Sequence, residues 1–209
     1  MTRNLKIPMV AAMALTALAA VGASGAQAAE FHCSVQPCVV TMKPDGTGKT
    51  AHHVISFTNG TEAIQTTCNT VTGEATISTK TSSELTISNL KGETCTLAGQ
   101  ASTLTANGCD YLLKAAGTLT IKCPEGKEIE NNGGKCLYNI PAQGPIAGVT
   151  YSNIGLTEVT ASIAVKGLVV NASGVGCPWG KVAAEFVTAN VLLTGETDPA
   201  GEMANLWWE

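Results

Sequence analysis

The chain has 209 residues, with 12 Lys and Arg against 16 Asp and Glu, and a formal net charge of −4 at pH 7. Charged residues make up only 13% of it, so Thr, Ser, Asn and Gly fill most polar positions, which suits strand faces and turns better than helices. A nucleic-acid-binding surface needs clustered cations to replace phosphate counterions. The acidic balance therefore excludes nucleic acid as a partner.

The first 28 residues have the three-part layout of a secretory leader. A short basic start precedes an apolar run from Ile7 to Val21, and a small-residue segment ends in Ala26-Gln27-Ala28. The A-x-A pattern predicts a signal peptide over residues 1–28, with a signal helix and cleavage after Ala28. A retained membrane anchor is the weaker alternative, because the apolar run is shorter than the roughly 20 residues that span a bilayer.

Residues 29–209 are then the mature part, a single domain of 181 residues with a formal charge near −6. A chain of this length buries about two-thirds of its unfolded surface without outside help. No later apolar stretch reaches membrane length, so we expect no membrane span after leader removal. Lipid attachment is disfavoured because the first cysteine, Cys33, comes five positions after Ala28. The sequence predicts a secreted protein, extracellular or associated with the cell envelope.

An even number of cysteines in an exported chain predicts a disulfide framework. All eight lie in the mature part: Cys33, Cys38, Cys68, Cys95, Cys109, Cys123, Cys136 and Cys177. Eight cysteines allow 105 pairings, so counting leaves the connectivity open. Cys33 and Cys38 bracket a short turn-like spacer and could close a small loop together.

Metal binding is the alternative use of these residues. Zinc prefers thiolate and imidazole ligands, and all three histidines lie near two thiols: His32, Cys33, Cys38, His52 and His53. Oxidation removes the thiolates, and the spacing matches no standard zinc pattern. The segment from Glu128 to Gly134 offers oxygen ligands for calcium, but a hairpin turn explains it fully. We therefore predict no metal and no cofactor.

Apolar side chains alternate with polar ones along several segments, which predicts strands with one buried face. The buried positions are Leu85 and Ile87; Val159, Ala161, Ile163 and Val165; and Val182, Ala184 and Phe186. Longer strand-like segments run from Val149 to Val170 and from Lys181 to Leu193, and a last strand ends at Trp207 and Trp208. The predicted fold is all-β, an antiparallel sandwich or barrel of short, disulfide-stapled strands with little helix.

Two hairpins can be placed by register. Centring the first on Ala116 sets Cys109, Tyr111 and Leu113 opposite Cys123, Ile121 and Leu119, and it pairs Asp110 with Lys122. The second turns at Asn131-Asn132-Gly133-Gly134, which predicts Ile129 opposite Cys136 and Glu130 opposite Lys135. Cysteines on the apolar faces predict buried, structural bridges.

Four stretches of the chain resemble a family of secreted, Thr-rich, cysteine-containing proteins of soil actinobacteria that occur in many paralogous copies. They are the leader with Ala29-Glu30-Phe31-His32, CPEGKEIE from Cys123, IPAQGPIAGVTYSNIG from Ile140, and the closing LWWE. The resemblance covers most of the mature chain and implies its location and fold, but no mechanism. Cys33 and Cys38 are additional to the family's usual pattern, which favours their pairing with each other.

No catalytic constellation is apparent in the sequence. The mature part lacks a G-x-S-x-G elbow and a glycine-rich phosphate loop. Glu128 and Glu130 share a strand face and could form the carboxylate pair of a polysaccharide hydrolase, although solvent-facing residues explain them more economically. We therefore predict no enzymatic activity and no catalytic residue.

The leading prediction is a non-enzymatic protein that binds a cell-surface glycan or an extracellular protein. Neighbouring Trp207 and Trp208 point to opposite faces of a strand, so one can seal the core while the other is exposed. Trp208 and Trp179 are the predicted contacts. An inhibitor of secreted proteases is the alternative, with the loop around Cys177-Pro178-Trp179 as its binding loop.

Overall fold

The computed structural model describes residues 28–44, 53–58, 62–175, 177, 180–197 and 202–209. These residues form antiparallel strands and contain no helix, which confirms the all-β prediction. The first half holds β1 (Phe31–Cys33), β2 (Cys38–Pro44), β3 (His53–Thr58), β4 (Ala63–Ile77), β5 (Thr81–Ser82), β6 (Glu84–Leu97), β7 (Gln100–Thr105) and β8 (Asp110–Lys114). The second holds β9 (Thr118–Lys122), β10 (Ile129–Asn132), β11 (Leu137–Ile140), β12 (Gln143–Ala147), β13 (Val149–Ile154), β14 (Glu158–Ser173), β15 (Lys181–Thr197), β16 (Met203–Ala204) and β17 (Leu206–Trp208).

Part of the large sheet closes on itself. The pairing runs in order through β3, β4, β6, β7, β10, β11, β14 and β15, and β15 pairs back to β3. A closed ring satisfies the backbone groups of every member and leaves no open edge among these strands. This part of the chain corresponds to the barrel form of the predicted fold.

Four strands are long. β4 and β6 exceed the short strands expected from the sequence, and β15 covers the predicted segment from Lys181 to Leu193. The predicted segment from Val149 to Val170 is divided into β13 and β14 by a turn. β4 has 15 residues, β6 has 14, β14 has 16 and β15 has 17. Beyond the ring, these strands continue into a second part, where they pair with β2, β8 and β13. β8 extends to β9 and β12, and a separate sheet has the order β17-β1-β5. Register shifts in β4, β6 and β14 let the strands bend between the two parts.

The alternation read from the sequence matches the buried faces. All of the predicted positions in β6, β14 and β15 are at most 5% exposed. Inside the ring, the Phe57 and Tyr138 rings stack with centroids 4.2 Å apart. The side-chain amide of buried Asn131 donates a hydrogen bond to the hydroxyl of buried Thr66. The ring interior is therefore a packed core with a small polar contact.

The first predicted hairpin is confirmed. β8 and β9 pair Asp110 with Lys122, Tyr111 with Ile121, and Leu113 with Leu119. The apolar pairs are buried. A cross-strand charge pair and an apolar face therefore agree on one register.

The register of the second hairpin was predicted wrongly. Ile129 lies opposite Ile140, not Cys136, and Glu130 lies opposite Asn139, not Lys135. The turn moves two residues towards the C terminus, because Asn131 pairs with Tyr138 and both are buried in the ring. A Cβ on Gly133 would lie 2.2 Å from a terminal carbon of Leu97, so any other residue where the strand ends would displace this buried side chain. The shift is even, so Ile129 and Cys136 keep the predicted buried face.

The eight cysteines form four disulfides. Cys33 bonds to Cys38, Cys68 to Cys95, Cys109 to Cys123, and Cys136 to Cys177. The second of these joins directly opposed residues of β4 and β6. The fourth ties the turn after β10 to the segment between β14 and β15. Bridges therefore fix the ring at two separate places.

Removing a bridge should cost more stability when the bridge closes a longer loop. The chain-entropy relation gives about 3.5 kcal/mol for the Cys68–Cys95 bridge, with its sequence separation of 27, and about 2 kcal/mol for Cys33–Cys38, with its separation of 5. We expect C68A/C95A to lower the free energy of unfolding more than C33A/C38A in guanidinium titrations. Equal losses would show that loop closure does not govern the effect.

Candidate binding groove at Trp208

Trp208 is held in a fixed orientation by three hydrogen bonds. Its backbone amide donates to Asn153 Oδ1, and its carbonyl accepts from Asn153 Nδ2, each at 2.8 Å. Its indole Nε1 donates to the Ala115 carbonyl at 3.1 Å. β17 also pairs with β1, where Trp208 lies opposite Phe31. A ring held in this way loses little conformational entropy on binding a partner.

Trp208 forms one wall of a groove of about 460 Å³. Small and apolar residues make up much of the rest, among them Ala29, Ala115, Gly117, Val149 and Tyr151. Gly117 has a φ of +89°, and a Cβ there would lie 2.7 Å from the Val149 carbonyl oxygen. The close approach of the β8–β9 turn to the start of β13 therefore requires glycine.

Tyr151 is the second aromatic wall of the groove. Its ring packs edge-on against Phe31 at 5.0 Å and lies 5.7 Å from the Trp208 ring at a tilt of 38°. Its hydroxyl donates to the Lys114 carbonyl at 3.0 Å. Burial raises the pKa of Tyr151 above its ordinary value, so the hydroxyl stays protonated and keeps this bond.

The groove suits non-covalent binding. Of the described residues that line it, only Tyr151 carries a titratable group, and that group donates to the backbone. Aromatic rings beside small side chains present apolar area that a sugar ring or an apolar peptide side chain can cover.

The two C-terminal tryptophans point to opposite faces of β17, as predicted. Trp208 packs against the hydrophobic core, whereas Trp207 stacks on His32 with ring centroids 5.0 Å apart. His32 Nε2 lies 3.3 Å from Glu209 Oε1. Both tryptophans are partly exposed, so Trp208 seals the core and borders the groove at once.

Sequence reasoning missed Tyr151, Asn153 and Ala115. Tyr151 lies two residues after buried Val149 in β13. Because side chains alternate along a strand, this spacing places Tyr151 on the same face as Val149. Its place beside Trp208 depends on contacts between distant strands, which no local pattern shows.

Several sequence-based predictions fall outside the described residues. The leader before Ala28, His52, and the loop residues Pro178 and Trp179 all belong to that group. Cys177 is described, and it is bonded to Cys136. The signal peptide, the Trp179 contact and the protease-inhibitor alternative therefore stay predictions.

The described residues of the zinc alternative, which leave out His52, do not come together as a metal site. Cys33 and Cys38 form a disulfide, His32 contacts Glu209, and His53 is buried in the core. Across the residues that the structure describes, no group of three or more His, Cys, Asp or Glu could hold a metal ion. In the calcium alternative, Asn131 points to buried Thr66 and Asn132 Oδ1 accepts from the Gly134 amide.

The hydrolase alternative placed Glu128 and Glu130 on one face. Glu130 belongs to β10 and lies between Asn139 and Thr105 of the neighbouring strands. Glu128 precedes β10, and its backbone carbonyl accepts from the Asn107 side-chain amide at 3.0 Å. This geometry does not test the catalytic alternative, and the absence of enzymatic activity stays a prediction.

His53 is a core residue of the ring. It is 2% exposed, and its ring lies 4.3 Å from Phe186 and 6.3 Å from Tyr111. Desolvation by burial lowers the pKa of His53 from 6.5 to about 3. His53 is therefore neutral in the folded protein at neutral pH.

This pKa shift predicts acid sensitivity. The unfolded chain takes up a proton on His53 below about pH 6.5 while the folded protein does so only near pH 3, so stability is complete above pH 6.5 and falls towards pH 3, by about 1.4 kcal/mol per pH unit. H53Q should flatten the pH dependence of the unfolding free energy in this window by that amount. Identical slopes for H53Q and the parent protein would contradict the assignment.

No family model, curated protein or solved structure matches this chain. The resemblance to secreted actinobacterial proteins therefore stays a prediction. Within the described ranges, no helix has the length and apolar character needed to cross a membrane.

Proposed function

We propose that this chain is a secreted, non-enzymatic protein of the cell envelope or the extracellular space, and that it binds a surface glycan or an extracellular protein through the Trp208 groove. The observation that carries the proposal is the immobilised Trp208 ring, fixed by Asn153 and Ala115 beside a concave apolar surface. Preorganised aromatic rings contribute large contact area at low entropic cost.

Two features support an extracellular location. Four disulfides fit an oxidising environment, and the leader predicts export. Ala29, which would become the first residue after cleavage, lines the groove. In the proposed mature protein, a free amino terminus therefore lies at the groove and adds a hydrogen-bond donor.

The matched pair W208A and W207A tests the proposal. Both remove an indole from β17, but only Trp208 lines the groove, while Trp207 stacks on His32 at the other face. In retention assays on purified cell walls, chitin and immobilised extracellular proteins, we expect W208A to bind about tenfold more weakly or worse. W207A should bind as the parent protein does.

A groove-filling variant separates binding from folding. Ala116 is exposed and lines the groove, so A116R blocks access while leaving Trp208 and its hydrogen bonds in place. We expect A116R to lose retention with an unchanged melting temperature. Full retention by A116R, or no retention of the parent protein on any of these materials, would overturn the proposal.

A further inference from the structure

A second groove lies where the long strands bend between the two parts of the sheet. It has a volume of about 530 Å³ and is bordered by β2, β4, β6 and β15. Unlike the Trp208 groove, it is lined by charged and hydroxyl side chains, chiefly Lys43, Lys91, Glu74, Glu196, Thr41 and Thr72. The two lysines and two glutamates give the groove no net formal charge.

The strand register separates the positive from the negative side chains. Thr72 of β4 lies opposite Lys91 of β6, and the pairing of Met42 with Gly73 places Lys43 of β2 beside Thr72 on its other side. Two ammonium groups therefore flank one hydroxyl in a single cross-strand row. This row is the cationic end of the groove.

The next row along the strands is acidic. Glu74 of β4 lies opposite Thr41 of β2. The Thr41 hydroxyl lies 3.4 Å from Glu196 Oε1 and 2.6 Å from the hydroxyl of buried Thr194. Two carboxylates therefore flank the Thr41 hydroxyl. This row is the anionic end of the groove.

The charges of the two ends do not neutralise each other. Among the described residues, ion pairs within 4.0 Å involve His32, Lys114 and Lys166, and none involves a lysine or glutamate of this groove. Unpaired charges of both signs within one concave surface remain available to a ligand that carries the opposite arrangement.

The backbone at this groove departs from regular strand geometry. The β4–β6 register shifts between Thr72 and Glu74. Gly73 lies between them. A Cβ on Gly73 would lie 2.5 Å from a side-chain carbon of Ile87, too close for an ordinary contact. On β6, Asn89 has a φ of +54°, and its side chain also lines the groove. Such bulges re-aim side chains and are frequent next to functional sites.

We propose that this groove binds a short peptide with free termini, the carboxylate at Lys43 and Lys91 and the ammonium at Glu74 and Glu196. Along the regular strand β2, side chains on one face repeat every ~6.6 to 6.8 Å, which is the backbone spacing between the rows of Lys43 and Thr41. An extended dipeptide spans about 7 Å. A neutral sugar has hydroxyls that can bond to either end, but it carries no charges to match the two separated rows.

Calorimetric titration of the full mature chain with dialanine tests this site independently of the Trp208 groove. We expect dialanine to bind, and both N-acetyl-dialanine and dialanine amide to bind about tenfold more weakly or worse, because each lacks one charge-assisted contact. Equal affinity for the three peptides, tighter binding of a neutral disaccharide, or no binding at millimolar dialanine would overturn the proposal.

Charge-neutral variants assign each end of the ligand. K43Q/K91Q should bind dialanine about tenfold more weakly and no longer distinguish it from its amide, while still discriminating against the N-acetyl peptide. E74Q/E196Q should show the reverse pattern. K166Q, which alters an exposed lysine paired with Glu185, is the matched control and should bind as the parent does. Loss of both discriminations in either double variant would contradict the assigned orientation.

Discussion

The ring of strands depends on the pairing of β4 with β6, and the Cys68–Cys95 disulfide covalently fixes the register of this pair. Without this pair, β3 to β15 would form an open sheet whose edges expose unpaired backbone groups. With it, the inward faces of the ring enclose Phe57, Tyr138 and His53 in one core. The same two strands then continue into the second part, where they border the charged groove.

The two grooves form at different places in the fold. The Trp208 groove forms where β17 returns to the hairpin turn between β8 and β9 and to the start of β13, so that one indole contacts Ala115 and Tyr151. The charged groove forms at the bulge of β4. The Trp208 groove is apolar and aromatic. The charged groove is lined by threonines, with its lysines in one cross-strand row and its glutamates at the other end. The molecule thus carries two concave surfaces of different chemistry.

Local patterns predicted the fold where one register satisfied two requirements at once. The first hairpin had both an apolar face and the Asp110–Lys122 pair, and it was placed correctly. The second had glycines that permit several turns, and its register depends on Tyr138 stacking on Phe57, a residue more than seventy positions away. The predicted segment from Val149 to Val170 is in fact two strands, β13 and β14, which pair with each other across a turn that the alternating pattern did not reveal. Trp208 was predicted as a contact, but its partners Asn153 and Ala115 join it only through tertiary contacts.

The disulfide pattern of the protein purified under oxidising conditions tests this account most directly. Proteolysis without reduction, followed by mass spectrometry of the linked peptides, should recover Cys68 bonded to Cys95, together with Cys33–Cys38, Cys109–Cys123 and Cys136–Cys177. Cys68 linked to any other cysteine, or found as an unmodified thiol, would contradict the closed ring whose strands border the charged groove.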